Sequence, residues 1–490
     1  MSVEGPTGVV FPRTGAGRST SALGRAVVAD ALRAVDPVGA RAAEHETNWR
    51  HGYLVHFRRL VEAGLLSRDA ALTIARDGLA SLHERMRYVD PDGHETSLDD
   101  AAVAPDDHEP PQTATVTGGG PVEREFSLPY RGGRLRGDDL RRRLDAWVGA
   151  GVIEPSCAEA VGAVLANPDW LDLRDQRIVV LGAGAEMGPL PSVLRWGGDV
   201  VAVDLPRPEL WRRVLATARR HGGRLHLPVR PGTDADDDTA LAAGAGLDLL
   251  HRLPQVARWL DGVDGRLVLG NYVYADGATN VRVAMAVDAL TRHLHQRRPD
   301  LALAFLATPT DVFAVPGDAV AHAERGYARR GVARRALRVA SGGRLLHRNY
   351  PPDADPGVND SLVPQQGPNY ALAKRLQRWR AAVARDAGTT VSFTVAPPTR
   401  TRSVLRNRAL AAAYAGAHRF GIEVFDPATS NTLMAALLVH DLRTGGGPTH
   451  SHPWQDEAYA AAHGGLWRVP YAPRSALGLA VLLGLGGART

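Results

Sequence analysis

Residues 177–204 constrain this chain more than any others. Arg177-Ile178-Val179-Val180-Leu181 is an apolar run of strand length, and Gly182-Ala183-Gly184-Ala185-Glu186-Met187-Gly188 is a glycine-rich turn. A helical segment then reaches Trp196, and Asp199-Val200-Val201-Ala202-Val203-Asp204 is a second apolar run closed by an acid. Apolar runs on either side of a helix read as parallel strands buried on both faces. Parallel neighbours need a crossover, so the unit commits the chain to an α/β sheet. Glycines at the turn let backbone approach a pyrophosphate, and the helix start offers N–H donors and the positive end of its dipole. Asp204 stands 22 residues after Gly182, where an acid hydrogen-bonds ribose hydroxyls and repels a 2′-phosphate. That favours NAD over NADP.

The alternation continues. Further strands are expected at 246–250, 265–272, 301–308, 390–398 and 421–425, with helices over 280–295, from 370 to about 386, and from 426 to 442. The fold class is therefore α/β: a doubly wound parallel Rossmann sheet, an N-terminal all-α region and a C-terminal helical extension. The expected organisation is a flexible tail over 1–18, a helical region over 19–88 and a linker over 89–124, broken repeatedly by Pro and Gly. A helical lead-in over 125–174 follows. The Rossmann-like domain spans 175–430, with a basic insertion over 316–366, and the helical extension runs over 431–490.

A second feature is Tyr370-Ala371-Leu372-Ala373-Lys374. Of the 58 Lys and Arg residues, Lys374 is the only lysine. A cation that needs only charge or reach can become arginine, but a compact point donor cannot be replaced by a planar fork. On a helix, residues four apart share a face, so Lys374 is expected beside Tyr370, lowering the phenol pKa as a proton-shuttling tyrosine requires.

The net charge of +5 is small for 490 residues, and no arginine run is interleaved with aromatics as a nucleic-acid platform would be. Cys157 is the only cysteine, which excludes an internal disulfide and a cysteine zinc site. His450, Ser451, His452 and His463 lie in a loop without a carboxylate at a telling spacing, so no metal is expected. No signal peptide or spanning helix is seen, and a cytoplasmic location is the default expectation.

The order of these features resembles the short-chain dehydrogenase/reductase (SDR) superfamily over about 175–430. Leu181 to Gly188 is similar to its cofactor turn, with Gly182, Gly184, Met187 and Gly188 as contacts and Glu186 standing where the family has its middle glycine. Asp204 and Asp248 resemble the ribose-side and adenine-side acids. Gly270-Asn271-Tyr272 resembles the Asn-Asn-Ala-Gly strand end, and Asn280 the structural asparagine of the next helix. Thr308 resembles the serine that ends the fifth strand, and Tyr370 and Lys374 match the catalytic pair. Pro397-Pro398-Thr399-Arg400-Thr401 resembles the Pro-Gly-x-x-x-Thr stretch, with Pro398 in place of the glycine. Thr308 and Tyr370 are 62 positions apart, so 316–366 must loop out.

The resemblance implies hydride transfer between NAD(P) and a carbonyl or alcohol carbon. Tyr370 would be the acid/base, Lys374 would lower its pKa and hold the nicotinamide ribose, Thr308 would bind the substrate oxygen and Asn280 would carry a water relay. Asn271 and Pro397 would line the cofactor. The partner is a small molecule, made anionic in expectation by Arg400, Arg402 and Arg406 after the sixth strand. A homo-oligomer would suit the apolar helix over 475–485. The first motif of S-adenosylmethionine (SAM)-dependent methyltransferases has the same order and tolerates Glu186, but gives Lys374 no role. A non-catalytic nucleotide-binding or scaffold protein is the third alternative.

Overall fold

The computed structural model describes residues 7–15, 17–105 and 109–485. Its central sheet has seven strands: β1 (Gln112–Thr117), β2 (Gln176–Leu181), β3 (Asp199–Val203), β4 (Arg224–Val229), β5 (Arg266–Asn271), β6 (Ala302–Ala307) and β7 (Val391–Val395). The spatial order is β7-β6-β5-β2-β3-β4-β1. Strands β2 to β7 pair in parallel, and β1 joins the β4 edge antiparallel. The six parallel strands follow the order of doubly wound dinucleotide-binding sheets, which reverses direction between β2 and β5. The architecture is thus a mixed α/β, Rossmann-like fold.

Side chains alternate across the sheet. Val179, Leu181, Leu269, Phe305 and Val395 pack on one face, and Ile178, Val180, Val200, Leu227 and Ala304 on the other. Helices α1 (Leu190–Arg195), α2 (Pro208–Arg220), α3 (Leu253–Asp261), α4 (Ala278–Arg297), α5 (Pro368–Asp386) and α6 (Pro427–Thr444) cover both faces. The first face carries α3, α4 and α5; the second carries α2 and α6.

The N-terminal helices Thr20–Arg33, Trp49–Gly64 and Arg68–Arg85 share the core of the first face and close over α5. Ser67 caps the last of them by accepting from the Ala70 N–H at 3.0 Å. The Trp379 ring of α5 lies so close to Gly78 that a Cβ there would meet it at 2.4 Å. Helix α5 also buries Arg375, Gln377 and Arg378.

Several expectations need correction. The strand expected at 246–250 is a loop and turn, and the third parallel strand is instead β4. The strand expected at 421–425 reduces to one bridge between Thr399 and Phe425. The stretch 89–124, expected as a linker, supplies the helix Leu98–Val103 and the edge strand β1. Of the expected tail, residues 1–6 and 16 lie outside the described residues. Gly8–Val10 is a strand paired with Arg87–Val89, and the Val9 N–H donates to Leu250 O at 3.0 Å. The 316–366 insertion is closed at its base by Val312–Val315 pairing with Gly357–Asp360, and it carries the helices Gly317–Ala328 and Val332–Ala340. Among the described residues no helix is long and apolar enough to cross a membrane.

Candidate active site

The C-terminal end of β6 gathers three of the four expected catalytic residues. Thr308 follows the strand directly, while Tyr370 and Lys374 lie in the first two turns of α5. The Tyr370 phenol lies close enough to the Thr308 side chain for that neighbour to lower its pKa. Thr308 Oγ1 shares a hydrogen bond with Thr310 Oγ1 at 2.9 Å, and Gln366 Nε2 donates to Thr310 Oγ1 at 2.8 Å. A line of neutral donors and acceptors from Gln366 to Thr308 therefore stands beside the Tyr370 phenol at the strand end.

Lys374 is half-buried, and its Nζ donates to Leu306 O at 3.2 Å and to Gln377 Oε1 at 3.3 Å. These partners differ from the expected one, since the ammonium serves the strand end rather than the phenol. The expected lowering of the tyrosine pKa is accordingly reversed. Burial pushes Tyr370 up to about 12, the neighbouring Thr308 side chain opposes it, and the Asp311 charge adds to it. Burial brings Lys374 down to about 8, with Asp311 opposing.

Asp311 escaped the sequence reading. It is buried, accepts from Arg375 at 3.2 Å and Arg378 at 2.8 Å, and Arg378 also forks onto Glu457. Two more tyrosines border the site. The Tyr274 and Tyr370 rings meet edge-on at 6.2 Å, and Tyr414 is buried close enough to Tyr370 for that neighbour to add to its cost of ionising. The only sequence signal for them was their place in the segments after β5 and β7.

Asn280 is buried on α4, and its Oδ1 accepts from the Ala275 N–H at 3.1 Å, bracing the 272–277 loop. Its contact is structural, and no hydrogen bond joins it to Tyr370 or Lys374. Asn271 ends β5, its Oδ1 buried without a partner. By strand alternation it faces the same side of the sheet as Leu269, the α5 side.

The glycine turn is built differently. Gly182 has φ +87°, and a Cβ there would lie 2.9 Å from Tyr272 O, so only glycine fits against the β5 end. The N–H groups of Gly182 and Ala183 both donate to Val203 O, at 2.9 and 3.2 Å. Ala185 donates to Gly182 O at 3.0 Å and Gly188 to Ala185 O at 3.2 Å. Gly184 donates to Asp204 Oδ2 at 2.8 Å, and the other Asp204 oxygen takes the Leu205 N–H at 2.7 Å. Burial raises the Asp204 pKa, and these two N–H groups pull it back.

Helix α1 begins only at Leu190, is six residues long, and has prolines at 189 and 191. Proline has no N–H to offer, so the helix start loses donors that a phosphate would use. Glu186 Oε2 accepts the Arg402 N–H at 2.8 Å, and its Oε1 lies 3.3 Å from Arg402 Nε. Met187 packs inward: the space it bounds with Pro189, Tyr272, Leu306, Ser392 and Met434 holds about 10 Å³, room for about one water. Asp248 accepts from the Leu250 N–H at 3.0 Å and pairs with His251 Nδ1 at 2.8 Å. Pro397 O accepts from the Thr399 hydroxyl at 2.8 Å. As folded, the turn does not fit the pyrophosphate of NAD: most of its donors are spent on the chain, and a carboxylate holds the remaining place.

No protein-family model matches this chain, and no curated protein matches it. Among solved structures it is similar to a short-chain type dehydrogenase/reductase from Mycobacterium marinum, with 14% identity and a TM-score of 0.31 over 60% of this chain and 94% of that one. It is also similar to a thiolation–reductase di-domain from an archaeal non-ribosomal peptide synthetase, with 12% identity and a TM-score of 0.27 over 54% of this chain and 52% of that one. Likenesses this low carry no weight for the chemistry, which rests on the residues above.

Proposed function

We propose that the end of β6 is the acid–base site of an SDR-type oxidoreductase acting on a carbonyl or hydroxyl carbon of a small molecule. The observation that carries this is that Thr308, Tyr370 and the chain's only lysine meet at the carboxyl edge of a doubly wound sheet, where such folds place their chemistry. Tyr370, held as the neutral phenol at pH 7, gives a proton to the substrate oxygen. Thr308 hydrogen-bonds that oxygen. Lys374 holds the β6 end by its bond to Leu306 O and adds positive charge at the strand end. Arg400 and Arg406, exposed on the segment after β7, bind an anionic substrate; Arg402 is taken by Glu186. A nicotinamide, NAD before NADP because of Asp204, is the hydride carrier the resemblance implies. The turn as folded does not seat it, so no hydride step is drawn.

A thermal-shift screen of carbonyl and hydroxyl compounds tests this. Compounds that stabilise the wild type are expected to lose that effect on Tyr370→Phe and Thr308→Val, because ligand binding raises the melting temperature only where the site is intact. Equal shifts on all three proteins would refute the assignment. The contact between Glu186 and Arg402 favours a second reading, a scaffold that has given up the nucleotide.

A further inference from the structure

We infer that Glu186 decides what the glycine turn accepts: its carboxylate occupies the anion seat between the turn and the segment after β7, and dinucleotides are excluded while it stays there. Three observations converge. Glu186 replaces the residue at which the turn would come nearest a phosphate. Its two oxygens are held by the Arg402 N–H at 2.8 Å and the Arg402 guanidinium at 3.3 Å, a backbone and side-chain donor pair suited to a phosphate oxygen. Its own backbone is tied down as well, since Asn431 Nδ2 donates to Glu186 O at 3.2 Å.

The carboxylate is therefore an internal ligand of the same charge as the one it displaces. A pyrophosphate entering this seat would face Glu186 at contact distance and would have to take Arg402 from it. Like charges placed together cost several kcal/mol, and at a half-buried position water screens only part of that. No other residue of the turn carries charge, so the exclusion rests on this one side chain. The spent amides and the prolines of α1 lower the affinity that remains once it is gone, but they add no repulsion.

This inference rests on the turn being a nucleotide seat, and it is independent of Tyr370 and Lys374 because binding alone tests it. NADH and NADPH are titrated against the full-length wild type, Glu186→Gly and Glu186→Gln, followed by energy transfer from tryptophan to the nicotinamide and by calorimetry. Glu186→Gln keeps the volume and an oxygen for the Arg402 N–H, so it holds the fold if the glycine variant does not; melting curves check both. The wild type is expected to bind more weakly than about 1 mM. Glu186→Gly is expected to bind NADH at least about tenfold more tightly, with Glu186→Gln between them. Wild-type binding as tight as that of Glu186→Gly would overturn the inference. So would folded variants that gain less than tenfold.

Discussion

The end of β6 and the turn after β2 lie on the same edge of one sheet, yet they dispose of their polar groups in opposite ways. At β6 the hydroxyls of Thr308 and Thr310 bond each other and leave the Tyr370 phenol and an ammonium at the strand end. At the turn the amides bond the chain itself, Asp204 caps two of them, and Glu186 closes on Arg402. The contrast separates two things that one motif order suggests together. On the proposed reading, an acid–base pair stands beside a turn that has been filled from within.

The largest expected effect is at Lys374. Lys374→Arg puts a planar fork into a niche built for a point donor beneath Leu306 O and Gln377. Compounds that stabilise the wild type should lose at least about tenfold in affinity for this variant, with circular dichroism unchanged. Retained affinity would place the site elsewhere. Next comes Asp311→Asn, which strips a buried carboxylate from Arg375 and Arg378. Breaking such a pair costs about 3–5 kcal/mol, read by chemical denaturation, and the loss of Tyr370 geometry should accompany it.

The turn should be less sensitive. Gly182→Ala forces φ +87° on a side chain and should cost about 1–3 kcal/mol in the same measurement. Glu186→Gln should change stability by less than about 1 kcal/mol, since it alters one half-exposed ion pair. A large loss there would make the Glu186–Arg402 contact a structural clasp and erase the difference between the two regions.

How much of this was legible follows from the residues. Strands β2, β3, β5 and β6 carry apolar runs, β7 alternates Val391, Phe393 and Val395 with Ser392 and Thr394, and Tyr370 and Lys374 share one face of a helix, so these were readable. Strand β4 reads Arg224-Leu225-His226-Leu227-Pro228-Val229, where polar residues and a proline break the run. Leu247-Asp248-Leu249-Leu250 nearby looks more like a strand, yet its leucines anchor a loop in the core. Edge strand β1 alternates threonine with Ala114 and Val116 between prolines and so passes for a linker. At the site, spacing shows which face Lys374 shares but not what it touches. The N-terminal helices that bury α5 and the β6 carbonyl it bonds are distant in sequence, as are Asp311 and Tyr414. Glu186 was visible as a departure, but its partner Arg402 lies 216 positions away.

Because Lys374 is the only lysine, its amine can be observed alone. Reductive methylation with ¹³C labels it, and Lys374→Arg identifies its signal apart from the α-amine. In the folded protein it should titrate near 8 rather than at the ordinary 10.5. Between those values the unfolded chain keeps a proton that the folded chain has lost, so this group's contribution to stability should rise with pH across that window. A signal that titrates at 10.5 would mean the amine stands in water, and the strand-end site would be contradicted.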